Sequence, residues 1–171
     1  MTNKHELDGI DAIVAQWQAE KPNLDLSAMA IIGRLKKCHA LMQPQLDKVF
    51  ERHNLGFWEF DVLATLLRSG QPYCLAPTQL FSTLMVTSGT MTHRMAQLEK
   101  RGLIERIANE HDARSKLVKL SKSGFELINK AVDEHVANEL EILSALNNQQ
   151  QIQLDQSLKQ LLVLLEKMHQ K

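Results

Sequence analysis

The chain has 171 residues, of which 44% are hydrophobic and 23% are charged, and its formal net charge is zero. These values are ordinary for one globular domain with a hydrophobic core. No apolar run approaches the roughly 18 residues of a membrane span, and the polar N-terminus does not resemble a signal peptide, so we expect a cytoplasmic protein with no membrane contact.

Three helices are predicted in the first 70 residues. A short one covers residues 7–19, and a longer one begins near Asp25 or Ser27, either of which is a good N-cap. The third, F-W-E-F-D-V-L-A-T-L-L-R, stops at Gly70. The 3–4 spacing of the second helix predicts a broad buried face. Its apolar positions are Ile31, Ile32, Leu35, Cys38, Leu41, Met42, Leu46, Val49 and Phe50.

Two further helices follow in quick succession and indicate a helix-turn-helix. The first runs over Pro77–Met85, with the proline at a helix start, where its missing N–H costs nothing. The second has Thr87 as its predicted N-cap and ends near Arg101, before Gly102. Two helices joined by a short turn are typical of DNA-binding proteins.

The stretch V-T-S-G-T-M-T-H-R-M-A-Q-L-E-K-R-G, residues 86–102, has an outer face of small and hydrogen-bonding side chains. A helical wheel places Met91, Met95 and Leu98 on the core side and His93 and Gln97 outside. The DNA major groove is about 12 Å wide and admits such a helix, with its N-terminal residues nearest the bases. We therefore predict that this helix reads DNA.

Two β-rich runs, L-I-E-R-I-A and K-L-V-K-L, flank a polar segment that contains D-A-R. They predict a hairpin, or wing, with Arg114 at its tip, where it is suited to the minor groove. Residues 76–120 contain seven basic and four acidic side chains, so this part of the neutral chain is modestly basic. Local positive charge suits contact with phosphates.

After Ser121 the chain is predicted to return to helix, with Asn147 or Asn148 capping the last one. The final helix has a heptad seam, which favours packing against another helix. For this seam, and for the apolar face of the second helix, the partner is either a second copy or the same chain. The seam consists of Leu154, Leu158, Leu161, Leu165 and Met168.

The chain has no motif for catalysis, metal or cofactor binding. Cys38 and Cys74 form no C-x-x-C pair, and the seven histidines lack metal-ligand spacing. Nucleophile elbow, P-loop, G-x-G-x-x-G and H-E-x-x-H are all absent. We predict a protein that is not an enzyme. Cys38 is expected in the core, whereas Cys74, in a predicted loop, is the candidate for a reactive thiol.

The segment P-T-Q-L-F-S-T-L-M-V-T-S-G-T-M-T-H-R-M-A-Q-L-E-K-R-G-L-I-E-R, followed by D-A-R and K-L-V-K-L-S-K-S-G, resembles the MarR family of bacterial transcriptional regulators. The likeness extends from about Asp25 to the C-terminus. It implies a mainly α-helical winged helix-turn-helix protein, a homodimer that represses transcription at a palindromic operator. The implied division is 1–52 for dimerisation, 53–121 for DNA binding and 122–171 for further dimerisation.

The predicted DNA-binding residues lie on both helices of the helix-turn-helix and on the wing. They are Thr78, Gln79, Thr87, Ser88, Gly89, Thr90, Thr92, His93, Arg94, Gln97, Arg114 and Lys116.

A narrower resemblance is to the PecS-type, urate-responsive branch of the family, and rests on the extra N-terminal helix, P-N-L-D-L, E-F-D-V-L-A-T-L and G-T-M-T-x-R. It implies a pocket for an anionic purine or phenolic ligand. Residues of the helix 7–21 and residues of the DNA-binding segment would together line this pocket. The matching positions are Trp17, Asp61 and Arg94, with Arg106 as the ionic partner of Asp61. Some relatives have an arginine where this chain has Gln79, so this pocket would have one positive charge fewer.

Several alternatives stay open at this point. Asp61 is either a ligand-site residue or a solvated surface residue, Arg94 either binds the ligand or contacts a phosphate, and Trp17 is either a ligand platform or a core anchor of the dimer. A cysteine-based redox sensor of the same fold is an alternative function. A winged helix that binds only protein is an alternative from another class.

Overall fold

The computed structural model describes residues 7–84, 91–109 and 115–169, and for residues 91 and 92 it describes the backbone alone. Within these ranges the chain forms seven helices and three short strands. None of the described helices is long and apolar enough to cross a membrane. The chain divides into two compact units, Met1–Gln45 and Leu46–Lys171. The predicted functional division at residues 52 and 121 stays a prediction.

The first unit contains α1, Gly9–Glu20, and most of α2, Ser27–Arg52. Asp8 caps α1 by accepting hydrogen bonds from the backbone N–H groups of Ile10 and Asp11. The Arg34 guanidinium binds Asp8, with Nε 2.7 Å from Oδ2, and holds the pKa of that carboxyl below its usual range. It also pairs with Asp11. The ion pairs fix α1 against the adjacent turns of α2.

Of the two predicted caps of α2, Asp25 and Ser27, the side chain of Asp25 makes the capping hydrogen bond. Its Oδ1 accepts a hydrogen bond from the Ser27 N–H at 2.9 Å, and this bond lowers the pKa of Asp25.

The alternative in which the α2 face packs within the single chain is wrong for most of its length. Only Val49 and Phe50 are buried in this helix, whereas Ile31, Ile32 and Leu41 are more than half exposed. The apolar spacing is correct, but this face is uncovered in the single chain. Cys38 lies in the same stretch and is exposed, so its predicted core position is also wrong.

The second unit contains the predicted winged helix-turn-helix. Its elements are α3 (Phe57–Arg68), β1 (Cys74–Leu75), α4 (Pro77–Thr83), α5 (Met91–Lys100), β2 (Ile104–Ala108) and β3 (Lys116–Leu120). The three strands form an antiparallel sheet in the order β1-β3-β2. The predicted hairpin is confirmed, with Ile104 opposite Leu120 and Ala108 opposite Lys116.

Strand β1 was not predicted from the sequence. Cys74 pairs with Lys119 and Leu75 with Val118, so Cys74 lies in a strand and not in the expected loop. A two-residue strand has no periodicity of its own, and only its partner β3 defines it.

Two long helices complete the second unit. Ser121 caps α6, Lys122–Ile142, by accepting the Gly124 N–H. Asn147 caps α7, Asn148–His169, through a hydrogen bond from the Gln150 N–H. No residue of α7 is buried. The alternative in which the heptad seam packs within the single chain is therefore wrong, because Leu154, Leu158 and their successors are exposed by 36–72%.

The core of the second unit joins α3, α4, α5, the sheet and the first half of α6. It confirms a mainly α-helical winged fold. Its largest fully buried side chains are Phe50, Leu63, Leu66, Leu80, Leu98, Ile104, Ile128, Val49 and Val62.

Candidate DNA interface and anion-binding site

Helix α5 has one face in the core and one toward solvent. Met95 and Leu98 are 2% and 0% exposed, as the helical wheel predicts. His93 and Gln97 lie on the exposed face one turn apart, and their Nε2 atoms are 3.1 Å from each other. The side chains of His93 and Gln97 offer hydrogen-bonding groups and no carboxylate, which suits contact with the edges of base pairs.

The C-terminal end of α5 is fixed by a glycine turn and an arginine. Gly102 has φ of +69°, a conformation that glycine adopts readily and that ends the helix. Arg101 pairs with Glu59 on α3, and its Nη2 donates to the Asn54 carbonyl at 2.7 Å. Glu59 in turn accepts the Gly56 N–H. We call these contacts of Arg101 with Glu59 and Asn54 the Arg101 clamp. It could not be predicted from the sequence, because Arg101 and Glu59 are 42 residues apart.

Arg94 points toward α3 and lies over an aromatic ring. Its Cζ is 5.0 Å from the centroid of the Trp58 ring, within the range of a cation–π contact. The Nη1 atom is buried and has no hydrogen-bond partner among the described residues. A buried guanidinium N–H without an acceptor is a ready donor to an anion. Trp58 was not among the predicted site residues.

Asp61 is 6% exposed on α3, so its interpretation as a solvated surface residue is wrong. A buried carboxylate requires hydrogen bonds or a cation. Arg106, its predicted ionic partner, has Nε 3.1 Å from Glu99 Oε2 at the C-terminal end of α5. The pairing of Asp61 with Arg106 stays a prediction.

Helix α4 presents two of the predicted contacts. Thr78 and Gln79 are exposed, and Gln79 Oε1 accepts the Ala76 N–H at 3.2 Å, which caps the helix. Arg68 on α3 donates to the Thr83 carbonyl at 2.6 Å and so holds the last residue of α4. Arg68 was not among the residues predicted from the sequence.

A cleft of about 260 Å³ lies at the base of the wing, between α4, α5 and the sheet. Arg106 and Lys116 supply its positive charge. This volume suits a small planar molecule. Its lining residues are Pro77, Phe81, Met95, Arg106, Lys116 and Val118.

Several predicted contacts lie outside the described residues. The predicted N-cap Thr87, the N-terminal residues of the reading helix and the wing tip belong to this group, as does the side chain of Thr92. These residues are Thr87, Ser88, Gly89, Thr90 and Arg114.

Trp17 belongs to the first unit, where it is 43% exposed. Its role as a core anchor of the dimer stays a prediction. The approach of Trp17 to Asp61 and Arg94 stays a prediction.

The two cysteines differ in exposure. Cys74 is half-buried, and burial raises the pKa of its thiol, an effect that Lys119 on β3 partly offsets. A raised pKa lowers the thiolate fraction at neutral pH, and the thiolate is the reactive form. The environment of Cys74 therefore disfavours the reactivity expected from the sequence.

Comparison with known proteins supports the architecture. Residues 53–115 match the MarR family model. A solved MarR family regulator from Streptomyces coelicolor in complex with DNA, Sco3205, superposes with a TM-score of 0.71, at 21% identity over 81% of this chain and 87% of that one. A mutant MarR from E. coli complexed with operator DNA gives 0.67, at 24% identity over 80% and 97%. At these identities the two structures support the fold alone.

Two relatives are closer in sequence. The organic hydroperoxide resistance transcriptional regulator of Bacillus subtilis (strain 168) is 32% identical over 75% of this chain and 80% of its own length. The HTH-type transcriptional regulator PecS of Dickeya dadantii (strain 3937) is 42% identical over 85% of this chain and 87% of its own length. With the winged helix-turn-helix described above, these identities show that the chain belongs to the MarR family of transcriptional regulators, which are not enzymes.

Proposed function

We propose that the protein is a homodimeric, sequence-specific DNA-binding repressor, and that a small anionic ligand lowers its affinity for a palindromic operator. The observation that carries this proposal is the division of α5 between Met95 and Leu98 in the core and His93 and Gln97 in solvent. Membership of the MarR family and the two neighbours solved with DNA support it. This function implies a cytoplasmic protein.

The proposed contacts divide into base readout and phosphate binding. Ser88, Gly89, Thr90, Thr92 and His93 would face the major groove. Arg114 would enter the minor groove, while the exposed Lys116 and Thr78 would bind phosphates. Specific affinity in the usual range of about 10⁻⁸ to 10⁻¹¹ M is expected at physiological salt.

The test of DNA recognition starts with a duplex selected by the purified protein from a random-sequence library. We expect Arg114→Ala to weaken binding to all selected duplexes by about tenfold or more, since minor-groove and phosphate contacts carry little base information. Fluorescence anisotropy of the labelled duplex measures the change. Arg52→Ala is the matched control, because Arg52 is an arginine with a 62% exposed side chain outside the helix-turn-helix.

Unchanged affinity of the Arg114→Ala variant would show that the wing is not a DNA contact. A library from which the wild-type protein enriches no duplex would contradict the proposed function and favour a winged helix that binds protein.

The ligand part of the proposal depends on positive charge without a full set of partners. Arg94 Nη1 is buried and unpaired among the described residues, and Arg106 and Lys116 line the cleft at the wing. A planar anion, such as a purine enolate or a phenolic carboxylate, matches the flat guanidinium groups. Arg94 lies on α5, and Arg106 pairs with Glu99 on α5. A ligand that binds these arginines more tightly in one orientation of α5 than in another would therefore shift α5 and change DNA affinity.

We expect urate, xanthine or salicylate to quench tryptophan fluorescence saturably and to release the selected duplex. The chain has two tryptophans, and Trp58, which lies beside Arg94, reports on ligand binding there. Arg94→Ala should abolish the response, and free N-acetyl-tryptophanamide corrects for absorption by the ligand. If neither fluorescence nor operator affinity responds up to about 1 mM ligand, a limit near −4 kcal/mol, the ligand proposal is wrong.

The redox alternative keeps only limited support. The half-buried Cys74 is disfavoured because its pKa is raised, and Cys38 is exposed in the other unit. The response to hydroperoxides belongs to the name of that relative, and the sequence similarity does not carry it over to this chain.

A further inference from the structure

The contact between α3 and α5 through Trp58 goes beyond the proposed contacts with DNA and ligand. We propose that Trp58 is a positioning residue for α5: its ring holds the guanidinium of Arg94 and thereby sets the orientation of the helix that reads DNA. The operator readout of this inference rests on the proposed function, whereas a second readout below needs no DNA.

The Trp58 ring is a fixed surface. Trp58 is partly buried and packs against the hydrophobic core of the second unit. The Arg94 Cζ atom lies 5.0 Å from its centroid. Arg94 Nη1 is buried and finds no hydrogen-bond acceptor among the described residues. Burial of a charge is costly unless another group compensates it, and here the electron-rich face of the indole is the described group that does so.

The same turn of α3 also holds the other end of α5. Arg94, Leu98 and Arg101 are spaced i, i+4, i+7 and therefore share one face of α5. Leu98 is fully buried, and Arg101 binds Glu59, the residue that follows Trp58. Two attachment points two turns apart restrain both the rotation and the tilt of α5.

Of the two attachments, the one at Trp58 is closer to the end of α5 that reads bases. Recognition helices contact base edges with their N-terminal residues. Loss of the Arg101 clamp would free the far end of α5, but loss of the Trp58 contact would free the near end. Arg94 would then act through Trp58 and not through a phosphate. This distinction can be measured, because each lost phosphate contact changes the salt dependence of binding.

The test compares Trp58→Leu, Arg94→Met and the double variant on a duplex selected with the wild-type protein. We expect each single variant to weaken binding by about fivefold to thirtyfold, the factor that corresponds to a contact of one to two kcal/mol. The double variant should lose little more than either single one, because both changes remove the same contact. The slope of log K against log salt should stay that of the wild type in all three.

Two controls separate positioning from stability. Phe57→Leu removes an exposed aromatic ring from the same turn, which packs on Phe50 and not on Arg94, and should leave operator affinity unchanged. Trp58→Phe keeps an aromatic face and should recover most of the affinity lost in Trp58→Leu. Thermal melting establishes that each compared variant is folded. If Trp58→Leu does not fold, Trp58→Phe and the salt slope of Arg94→Met decide the outcome.

Hydrogen exchange without DNA gives the independent readout. In Trp58→Leu, amides in the N-terminal half of α5 should exchange faster, while those near Arg101 should not change. Phe57→Leu should show neither effect.

Three results would each overturn the proposal. They are an operator affinity of Trp58→Leu within about twofold of wild type, additive losses in the double variant, and a salt slope of Arg94→Met reduced by about 0.9, the value of one lost phosphate contact. If the wild-type protein selected no duplex from the random-sequence library, the proposed function would be wrong. The hydrogen-exchange measurement would still test the role of Trp58, because it needs no DNA.

Discussion

Gly124→Ala is expected to be the most destabilising glycine-to-alanine substitution in the described helices. A Cβ atom at this position would lie 1.9 Å from the Leu103 carbonyl oxygen, 2.9 Å from its carbon and 3.2 Å from its Cα. All three are backbone atoms, so no side-chain rotation relieves the clash. Overpacking of a core by small groups costs about 1–3 kcal/mol, and occasionally more. We expect a loss at or above the upper end of that range.

The clash would reach the DNA-binding elements because of where Leu103 lies. Leu103 is buried between the end of α5 and the start of β2, and its carbonyl accepts the Ser121 N–H at 3.2 Å. Ser121 and Ser123 both donate to the Gly102 carbonyl. Any backbone shift that admits the methyl must therefore disturb the turn that links α5 to the wing.

Urea unfolding at one fixed protein concentration measures the effect, since the stability of an oligomer depends on concentration. Gly9→Ala is the matched control, because Gly9 also lies in a first helical turn and a Cβ there meets nothing within 4 Å. That variant should change the free energy of unfolding by less than about 1 kcal/mol. An unfolding midpoint of Gly124→Ala equal to that of the wild type would refute the predicted clash.

Features that depend on local spacing could be predicted from the sequence. The buried side of α5, at Met95 and Leu98, follows from 3–4 periodicity. The wing strands follow from β-branched residues on either side of a polar turn, and the helix end at Gly102 follows from the left-handed backbone that glycine permits.

Contacts between distant segments could not be predicted, because they depend on the packing of α3 against α5. The Trp58–Arg94 and Glu59–Arg101 pairs follow from which turn of α3 faces α5, and one residue of rotation would change both. The short strand β1 exists only through its register with β3.

The apolar face of α2 illustrates a different limit. Its spacing correctly marks one side of a helix, but spacing does not say whether the same chain covers that side. In the single chain Ile31 and Ile32 are exposed by 59% and 55%. Apolar side chains in such a continuous row mark an interaction surface, which is how the proposed homodimer accounts for them.

The second large effect is therefore expected on α7. Leu161 and Leu165 lie four residues apart on its heptad seam and are 36% and 42% exposed in the single chain. A leucine side chain buried on association contributes about 1.5–3 kcal/mol. The double substitution Leu161→Glu with Leu165→Glu removes that gain and would place negative charges in the interface of a symmetric dimer. We expect a monomer at concentrations where the wild-type protein is a dimer.

Operator binding should fail together with dimerisation. A monomer binds only one half-site of the operator. Loss of the second, linked DNA-binding unit lowers the apparent affinity by about 10²- to 10⁴-fold. Light scattering after gel filtration measures the oligomer, and anisotropy with the selected duplex measures the binding. Gln160→Glu adds the same type of charge to an exposed position next to Leu161 and should change neither the oligomeric state nor the affinity.

If the doubly substituted protein stayed dimeric, the dimer would form through surfaces other than α7, and the exposed seam would need another partner. If it became monomeric yet kept its affinity, one winged unit would suffice for the operator, and the palindromic, two-fold mode of binding would be wrong.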